Sequence, residues 1–216
     1  MRNTLGLIFD LDGVLLLSRD CHRRAFEEVL ADFGINDFNY DSFAGWRTPE
    51  VFLAVFAAHP EAKATALQIA ECSTRKSALA RKLLTVETPL APRCVPVLQQ
   101  CAERFGMALA SSGSRASVNA FLSITGTASL FQSVLSGDDV VNAKPDPEIF
   151  VRSIASLQLP AGSCVVIEDS PAGVRAALLA GAKAIGMGLA QEKDLRQAGA
   201  ELVVDSLTEL AEVFHL

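Results

Sequence analysis

The sequence lacks the features that mark secreted and membrane-spanning proteins. Its five cysteines are scattered with no Cys-x-x-Cys pair, which argues against a disulfide scaffold or a cysteine-bound metal and favours a reducing cytoplasm. The apolar run near the amino terminus breaks at Asp10, too early for a signal peptide or a membrane span. Charge or glycine interrupts the later apolar stretches, so we expect no association with a membrane.

Positive charge is also scarce. Lysine and arginine total 19 against 25 aspartates and glutamates, the net charge is −6, and no basic stripe occurs. These properties argue against a nucleic-acid partner. An acidic protein that binds phosphate groups has to concentrate positive charge locally, through a few lysines, arginines or a metal ion.

What the sequence does contain is an alternation of short apolar runs with helical patterns. With 216 residues, of which 50% are hydrophobic, the chain is long enough to bury a substantial core. The alternation predicts an α/β fold, a doubly wound parallel sheet with helices on both faces. The predicted strands are Leu5 to Phe9, Met107 to Ala110, Ser133 to Leu135, Cys164 to Ile167, Ala184 to Met187 and Leu202 to Val204.

Residues 18–86 interrupt this alternation after the first strand. They show helical patterns, such as His22 to Phe33 before Gly34, but no convincing buried strand. We therefore predict an inserted all-helical domain at 18–86, with 1–17 and 87–216 forming the α/β core.

Polar residues follow several predicted strands at the point where each strand ends. They are Asp10 and Asp12 after the first strand, Ser111 and Ser112 after the second, Lys144 after the third, and Glu168 and Asp169 after the fourth. Ligands of doubly wound sheets gather at the carboxyl ends of the strands. Such a cluster is difficult to explain as coincidence.

The two acidic pairs have both structural and chemical interpretations. Asp10 and Asp12 stand beside Gly13 and can simply form a turn, while Glu168 and Asp169 can simply favour the start of a helix. Together, however, they place much negative charge at one edge, and a hard divalent cation such as Mg²⁺ resolves it. A carboxylate can also attack phosphorus, and a second can act as general acid and base.

The remaining polar groups fit the same chemistry. By default, Lys144 would be interpreted as a solvated surface lysine. The acidic cluster, however, requires a cation, and Lys144 would supply it. Ser111 and Ser112 either form an ordinary loop or bind phosphate oxygens with a hydroxyl and nearby backbone N–H groups. Ser114 is a candidate helix cap.

At this point the sequence resembles the haloacid dehalogenase superfamily over nearly its whole length. The four motifs of that superfamily appear in order, as Phe9-Asp10-Leu11-Asp12-Gly13-Val14, Ala110-Ser111-Ser112, Lys144-Pro145 and Ile167-Glu168-Asp169-Ser170. The helical insertion resembles the cap of the branch that contains beta-phosphoglucomutase and phosphoglycolate phosphatases. Asp12 distinguishes the chain from the dehalogenases, which lack this residue.

The resemblance implies a role for each motif residue. Asp10 would be the nucleophile and Asp12 the general acid and base, while Ser111 and Lys144 would hold the phosphate. Mg²⁺ would be bound by Asp10, the backbone carbonyl of Asp12, and Asp169, with Glu168 in support. One departure is Leu17, which stands where this branch has a hinge aspartate.

In the insertion, three residues resemble cap positions that touch substrate. His22 resembles a histidine of beta-phosphoglucomutase, Arg47 lies in a Gly45-Trp46-Arg47-Thr48 loop, and Lys76 follows Arg75. For each of them a surface or packing role is an equally good interpretation.

We therefore predict a cytoplasmic, Mg²⁺-dependent phosphatase that acts on a small phosphorylated metabolite, such as a sugar or polyol phosphate, through an aspartyl-phosphate. A hexose-phosphate mutase similar to beta-phosphoglucomutase is the alternative with the same chemistry, since it differs in whether water is excluded. A non-catalytic binding or regulatory protein is the alternative from another class. It would be expected to lose at least one motif residue, whereas all are present.

Overall fold

The computed structural model describes residues 5–43 and 46–216, and it divides the chain into two compact units. One unit contains Leu90–Leu216 and the chain up to Leu17, and the other is Ser18–Pro89. The sequence pattern predicts an insertion that ends at Val86. The structure ends this unit later because its last helix runs through Glu87.

The first unit is built on a six-stranded sheet within the described residues. Its strands are β1 (Gly6–Phe9), β2 (Gly106–Ala110), β3 (Ser133–Leu135), β4 (Cys164–Glu168), β5 (Lys183–Met187) and β6 (Leu202–Val204). All the pairings are parallel, and the order across the sheet is β3-β2-β1-β4-β5-β6. The strand order reverses beside β1, which is the position where doubly wound sheets bind ligands.

Helices connect these parallel strands, and the last helix follows β6. They are α4 (Cys94–Arg104), α5 (Arg115–Thr125), α6 (Glu148–Leu157), α7 (Pro171–Leu179), α8 (Glu192–Ala198) and α9 (Leu207–Val213). The start of α5 at Ser114 and that of α7 at Ser170 follow the expected capping chemistry, because each side chain accepts a backbone N–H of the first turn. The predicted α/β class is confirmed.

Both faces of the sheet are buried, as expected for parallel strands covered by helices. In β1, Leu7 and Phe9 pack into one apolar cluster and Ile8 packs into the cluster on the opposite face. Cysteines belong to both clusters as small hydrophobic residues, and burial raises the pKa of the Cys94 and Cys101 thiols to about 12. The rigid sheet fixes the starting points of the loops that follow its strands.

The second unit is helical. Its helices are α1 (Arg19–Ala31), α2 (Thr48–Ala58) and α3 (Ala66–Glu87). They enclose a core rich in aromatic residues, in which the Phe26 ring lies 5.1 Å from Phe52 and 5.2 Å from Phe38 between ring centroids. Among the described residues, no helix of either unit has both the length and the apolar character that crossing a membrane requires.

Candidate functional site

The parallel sheet brings the predicted catalytic residues to one edge. Phe9, the last residue of β1, lies opposite Leu109 in β2 and Ile167 in β4. The register continues one residue further, because the backbone N–H of Asp10 donates to the Ile167 carbonyl at 3.0 Å. Asp10 therefore leaves the sheet beside Glu168.

Lys144 lies at the centre of this edge. Its Nζ is 2.6 Å from Oδ1 of Asp10 and 2.6 Å from Oε1 of Glu168, and it also donates to the Ala110 carbonyl at 3.3 Å. The ammonium group lies 4.8 Å from the centroid of the Phe150 ring, and its side chain is 2% exposed. The default interpretation of a solvated lysine is therefore wrong.

Glu168 is held by protein donors on both carboxylate oxygens. Oε1 accepts from Lys144, and Oε2 accepts from the backbone N–H and the hydroxyl of Ser170, each at 2.9 Å. Its side chain also fills the space beside Gly173, where a Cβ would lie 1.9 Å from Oε1. Glu168 thus orients Lys144 and the start of α7.

Asp169 approaches the loop after β1 through a space that only glycine leaves open. A Cβ on Gly13 would lie 1.9 Å from Oδ2 of Asp169, and Gly13 has a φ of +80°, which glycine adopts readily. The Asp-x-Asp-Gly sequence therefore does more than form a turn. It allows a carboxylate from the loop after β4 to come against the loop that carries Asp10 and Asp12.

Burial and neighbouring negative charge raise the pKa of two carboxyl groups at this edge, those of Asp10 and Asp169. Burial is the largest cause for Asp10, and the charges of Glu168 and Asp12 add to it, so that its pKa rises to about 7 even though Lys144 opposes the shift. Burial, followed by the charges of Glu168, Asp10 and Asp12, raises the pKa of Asp169 well above its ordinary value. The single positive charge of Lys144 therefore does not neutralise the carboxyl groups at this edge of the sheet.

The residues present fit a magnesium ion. Within residues 5–43 and 46–216, no three histidine, cysteine, aspartate or glutamate side chains form a group that could hold a metal ion. Mg²⁺ does not need such a cage, since proteins usually bind it through one or two carboxylates, with water and substrate phosphate completing the shell. The close approach of Asp169 to Gly13 and the uncompensated carboxyl charge match that chemistry.

The loop after β2 lies beside Asp12. The hydroxyl oxygen of Ser111 accepts the backbone N–H of Gly113 at 2.9 Å. A Cβ on Gly113 would lie 3.1 Å from that hydroxyl oxygen and 3.4 Å from Oδ2 of Asp12. Ser111 is fully buried and Ser112 is partly exposed. The structure thus brings Asp12 together with the loop of residues 111–114, which we call the serine loop.

Two further contacts at this edge were missed in the sequence analysis. The Glu148 carboxylate accepts the backbone N–H of Val141 at 3.0 Å and that of Asn142 at 2.9 Å, which ties the loop carrying Lys144 to the start of α6. Arg115 pairs with Asp139. No local sequence pattern predicts the partners in either contact. The position of Glu148 at the start of a helix is nevertheless typical of an acidic residue that binds backbone N–H groups.

In the helical unit, two of the three predicted substrate residues meet. The Lys76 Nζ lies 2.9 Å from Nδ1 of His22, 3.4 Å from the Thr48 hydroxyl and 4.2 Å from the centroid of the Phe26 ring. Lys76 is buried, which argues against the solvated-surface interpretation. Arg47 directly precedes Thr48 at the start of α2.

The residues next to Arg47 and Lys76 in the sequence make contacts of their own. Trp46 is half-exposed and meets Phe43 edge-on, with ring centroids 5.6 Å apart. Arg75 pairs with Asp32. Gly45, which the sequence analysis grouped with Arg47, lies outside the described residues.

Comparison with known proteins gives matches over nearly the whole chain. The family model described as haloacid dehalogenase-like hydrolase matches residues 7–187. The chain is 30% identical over 192 residues to fructose-1-phosphate phosphatase YqaB of Escherichia coli, covering 85% of this chain and 96% of that one. It is 29% identical over 218 residues to beta-phosphoglucomutase of Bacillus subtilis, covering 97% and 93%.

Two further matches differ in how much of the other protein they cover. The chain is 31% identical over 212 residues to protein SUPPRESSOR OF QUENCHING 1, chloroplastic, of Arabidopsis thaliana, with 95% of this chain matched to 20% of that longer protein. The crystal structure of CbbY from Rhodobacter sphaeroides in complex with phosphate superposes with a TM-score of 0.79 at 28% identity, covering 96% of each chain.

The family model covers more than half of the chain, and its span includes all four motifs at the sheet edge. The resemblance inferred from those motifs is confirmed, and so is the enzyme class, a phosphoric monoester hydrolase or mutase. The chain belongs to the haloacid dehalogenase-like hydrolase family.

Proposed function

We propose that this enzyme is a Mg²⁺-dependent phosphatase that hydrolyses a small phosphorylated metabolite through a phosphate ester on Asp10. The observation that carries the proposal is the contact of one buried ammonium group, that of Lys144, with the carboxylates of Asp10 and Glu168 at 2.6 Å each. A buried cation beside a buried carboxylate suits a nucleophile that has to meet an anionic substrate.

The first step transfers the phosphoryl group to the enzyme. A carboxylate oxygen of Asp10 forms a bond to phosphorus, and the bond between phosphorus and the ester oxygen breaks. The leaving oxygen takes a proton from the Asp12 carboxyl group. Burial opposes ionisation of Asp10 and Lys144 favours it, so the lysine limits the rise of the Asp10 pKa and thereby promotes the ionised, reactive form.

The second step returns the enzyme to its starting state. The Asp12 carboxylate takes a proton from water, and the water oxygen forms a bond to phosphorus while the bond to Asp10 breaks. Inorganic phosphate leaves, Asp10 is again a carboxylate, and Asp12 again carries its proton. The position of Asp12 beside the serine loop supports this double role.

The phosphate would be held mainly by Lys144 and the serine loop. The Ser111 hydroxyl oxygen already accepts the Gly113 N–H, so its own proton can be donated to a phosphate oxygen. Ser112, which is partly exposed, supplies a second donor on the same loop. These donors and the lysine would stabilise the charge that develops on the transferring group.

Asp10, the backbone carbonyl of Asp12, and Asp169 are the groups that we assign to Mg²⁺, with Glu168 in support. When bound, the ion shields the negative charges of carboxylate and phosphate from one another. Glu168 acts through its hydrogen bonds to Lys144 and Ser170. The raised pKa values of Asp10 and Asp169 support the need for such an ion.

For the substrate, we propose a sugar or polyol phosphate and assign its recognition to the helical unit as a cap. His22, Arg47 and Lys76 are the candidate specificity residues, and the partly buried cluster of His22, Lys76 and Thr48 is suited to polar or anionic groups. We place the enzyme in the cytoplasm, which agrees with its five buried thiols.

A hexose-phosphate mutase is the second candidate. The similarity to beta-phosphoglucomutase over 97% of the chain and the pairing of His22 with Lys76 favour it. In a mutase, a sugar hydroxyl takes the place of water in the second step.

Asp10→Asn tests the proposal directly. The wild type and this variant are assayed on p-nitrophenyl phosphate, fructose 1-phosphate and beta-glucose 1-phosphate, the last with a bisphosphate activator, each with Mg²⁺ and with EDTA. Acid-quenched samples are examined by mass spectrometry for phosphate on Asp10. We expect Mg²⁺-dependent release of phosphate and a trapped ester in the wild type, and neither in Asp10→Asn.

The exposed Asp194 provides the matched control. Asp194→Asn makes the same chemical change away from the site and should retain wild-type activity. Phosphate release by Asp10→Asn at the control's rate would refute the assignment of the nucleophile. Formation of glucose 6-phosphate without release of phosphate would favour the mutase.

A further inference from the structure

The serine loop is attached to the loop after β3 at its outer end. The backbone N–H of Gly137 donates to the carbonyl of Gly113 at 2.8 Å. Ser111 is fixed at the other end of the loop, because its N–H donates to the Leu135 carbonyl at 3.0 Å. The loop that we assign to phosphate binding is therefore held at both ends by the chain around β3.

Gly137 leaves no room for a side chain at this contact. A Cβ there would lie 2.4 Å from the carbonyl oxygen of Ser112, closer than Cβ atoms approach backbone oxygens. Its φ is outside the left-handed region, so the backbone itself would accept alanine. Glycine is required at this position for close approach to Ser112, and not for conformation.

A charged pair fastens the same two loops. The Arg115 guanidinium donates to the Asp139 carboxylate and to the Val134 carbonyl, the latter at 3.1 Å, while the Arg115 backbone N–H donates to Oδ2 of Asp138 at 2.8 Å. The Ser136 N–H donates to the same Asp139 oxygen at 2.7 Å. One oxygen of the Asp139 carboxylate, Oδ2, thus joins the start of α5 to the turn after β3.

The Asp139 carboxylate is ionised at neutral pH. Burial alone would raise its pKa, but hydrogen bonds from Ser136 and the charge of Arg115 outweigh burial and lower it. The pair with Arg115 is therefore a charge-assisted contact that combines an ion pair with directed hydrogen bonds. Such contacts fix geometry better than a single neutral hydrogen bond does.

We propose that Gly137 and the Arg115–Asp139 pair are positioning residues for phosphate binding, an inference that rests on the function proposed above. They hold the Ser112 carbonyl and the Gly113 backbone in place. The donors of the serine loop are thereby placed at a fixed distance from Lys144 and Asp10. Displacement of a reacting group by about 1 Å can lower the rate by about 100-fold, so a brace of this kind affects catalysis without touching substrate.

Gly137→Ala is the decisive variant, and Gly162→Ala is its matched control. Gly162 also has a φ outside the left-handed region, and a Cβ there would meet nothing within 4 Å. Both substitutions reduce the flexibility of the unfolded chain equally, so only the contact with Ser112 separates them. The measurements are kcat and KM for p-nitrophenyl phosphate, the Kd of inorganic phosphate by calorimetry, and the melting temperature.

At a temperature well below each melting point, Gly137→Ala should lower kcat/KM by about 10-fold or more and weaken phosphate binding in parallel. Gly162→Ala should remain within about twofold of the wild type on both measures. If Gly137→Ala matches the wild type in kcat/KM and in phosphate affinity, the positioning role is refuted, whatever its melting temperature.

Arg115 supplies an independent test should Gly137→Ala fail to fold. Arg115→Ala should lower kcat/KM and phosphate affinity, and Arg115→Lys should restore part of both because it keeps the charge but not the planar fork. A lower melting temperature with unchanged kinetics in Arg115→Ala would refute the proposal. If the wild type neither hydrolyses a phosphate ester nor binds phosphate, the proposed function itself fails. An active wild type with unaffected variants removes the positioning role alone.

Discussion

Lys144 and Asp10 are 134 positions apart in the chain, yet the ammonium nitrogen of Lys144 lies 2.6 Å from Oδ1 of Asp10. The same nitrogen lies 2.6 Å from Oε1 of Glu168. Burial alone would lower the pKa of Lys144, but the charges of Asp10 and Glu168 outweigh it and raise the pKa above its ordinary value. The lysine therefore remains charged throughout the neutral range and joins two carboxylates at the sheet edge.

Removing this cation should damage both activity and stability. In Lys144→Met two buried carboxyl groups lose their partner, so we expect turnover to fall by about 100-fold or more and the free energy of unfolding to fall by about 3–5 kcal/mol. Steady-state kinetics and urea unfolding measure the two effects. Lys183→Met is the control, because Lys183 is exposed and lies 3.8 Å from Glu201, a surface pair that contributes less than about 1 kcal/mol. Equal effects of the two substitutions would contradict the central role of Lys144.

Asp12 can be tested through the leaving group of the substrate. Asp12→Asn cannot protonate the ester oxygen, so its first step should slow strongly with alkyl phosphates such as fructose 1-phosphate. The loss should be much smaller with p-nitrophenyl phosphate, whose leaving group departs without a proton. Since the second step also needs Asp12, the phosphoenzyme should accumulate with that substrate, which rapid quench and mass spectrometry would detect. A loss in the rate of the first step, measured by rapid quench, that does not depend on the leaving group would exclude Asp12 as the general acid.

Much of the fold was predictable because the central strands of a parallel sheet are buried on both faces. The runs that end at Phe9 and Ala110 are continuous apolar segments followed by polar residues, and this pattern locates both the strand and the loop after it. The motif residues were predictable for the same reason, since the carboxyl ends of adjacent parallel strands meet at one edge.

The contacts within the site depend on distances that the sequence does not contain. Glu168 was grouped with the metal ligands because of its charge, whereas its two oxygens contact Lys144 and Ser170. Gly137 carries no sequence signal, because its importance comes from the approach of Ser112. His22 and Lys76 were each identified, but they lie 54 positions apart on two different helices. Their contact is therefore visible only in the tertiary structure.

Magnesium binding should depend on pH in a defined direction. The pKa of Asp10, about 7, lies above the ordinary value of 3.8, so between these values the folded metal-free protein binds more protons than the unfolded chain does. For this group, stability is therefore greatest at low pH and is lost as the pH rises through about 7. Asp169, whose pKa is also raised, acts in the same direction.

Mg²⁺ requires these carboxylates in their ionised form, so its binding should release protons and should stabilise the protein more at about pH 8 than at about pH 5.5. Melting temperatures with Mg²⁺ and with EDTA at both pH values give the effect, and calorimetry in buffers of different ionisation enthalpy gives the released protons. Asp169→Asn should lose most of the Mg²⁺-dependent stabilisation, whereas Asp194→Asn should keep it. Stabilisation that is equal at both pH values would contradict binding by these carboxyl groups.

The helical unit offers a test of substrate specificity in Lys76. Its ammonium group is buried beside His22 and the ring of Phe26, so Lys76→Met replaces a charge with an apolar side chain of similar length in an aromatic environment. We expect the fold to persist, and we expect kcat/KM for the true sugar phosphate to fall by about 10- to 100-fold, the effect of losing one charged hydrogen bond. The value for p-nitrophenyl phosphate, which lacks the sugar, should change much less.

Lys82→Met, at an exposed position of the same helix, is the matched control and should alter neither substrate. Arg47→Ala should behave as Lys76→Met does, with a larger increase of KM for the sugar phosphate than for the small ester. Ratios of kcat/KM between the two substrates cancel any loss of folded protein, so they isolate recognition from stability. If Lys76→Met and Arg47→Ala lowered both values of kcat/KM equally, these residues would have no part in specificity, and recognition of the substrate would have to come from other side chains.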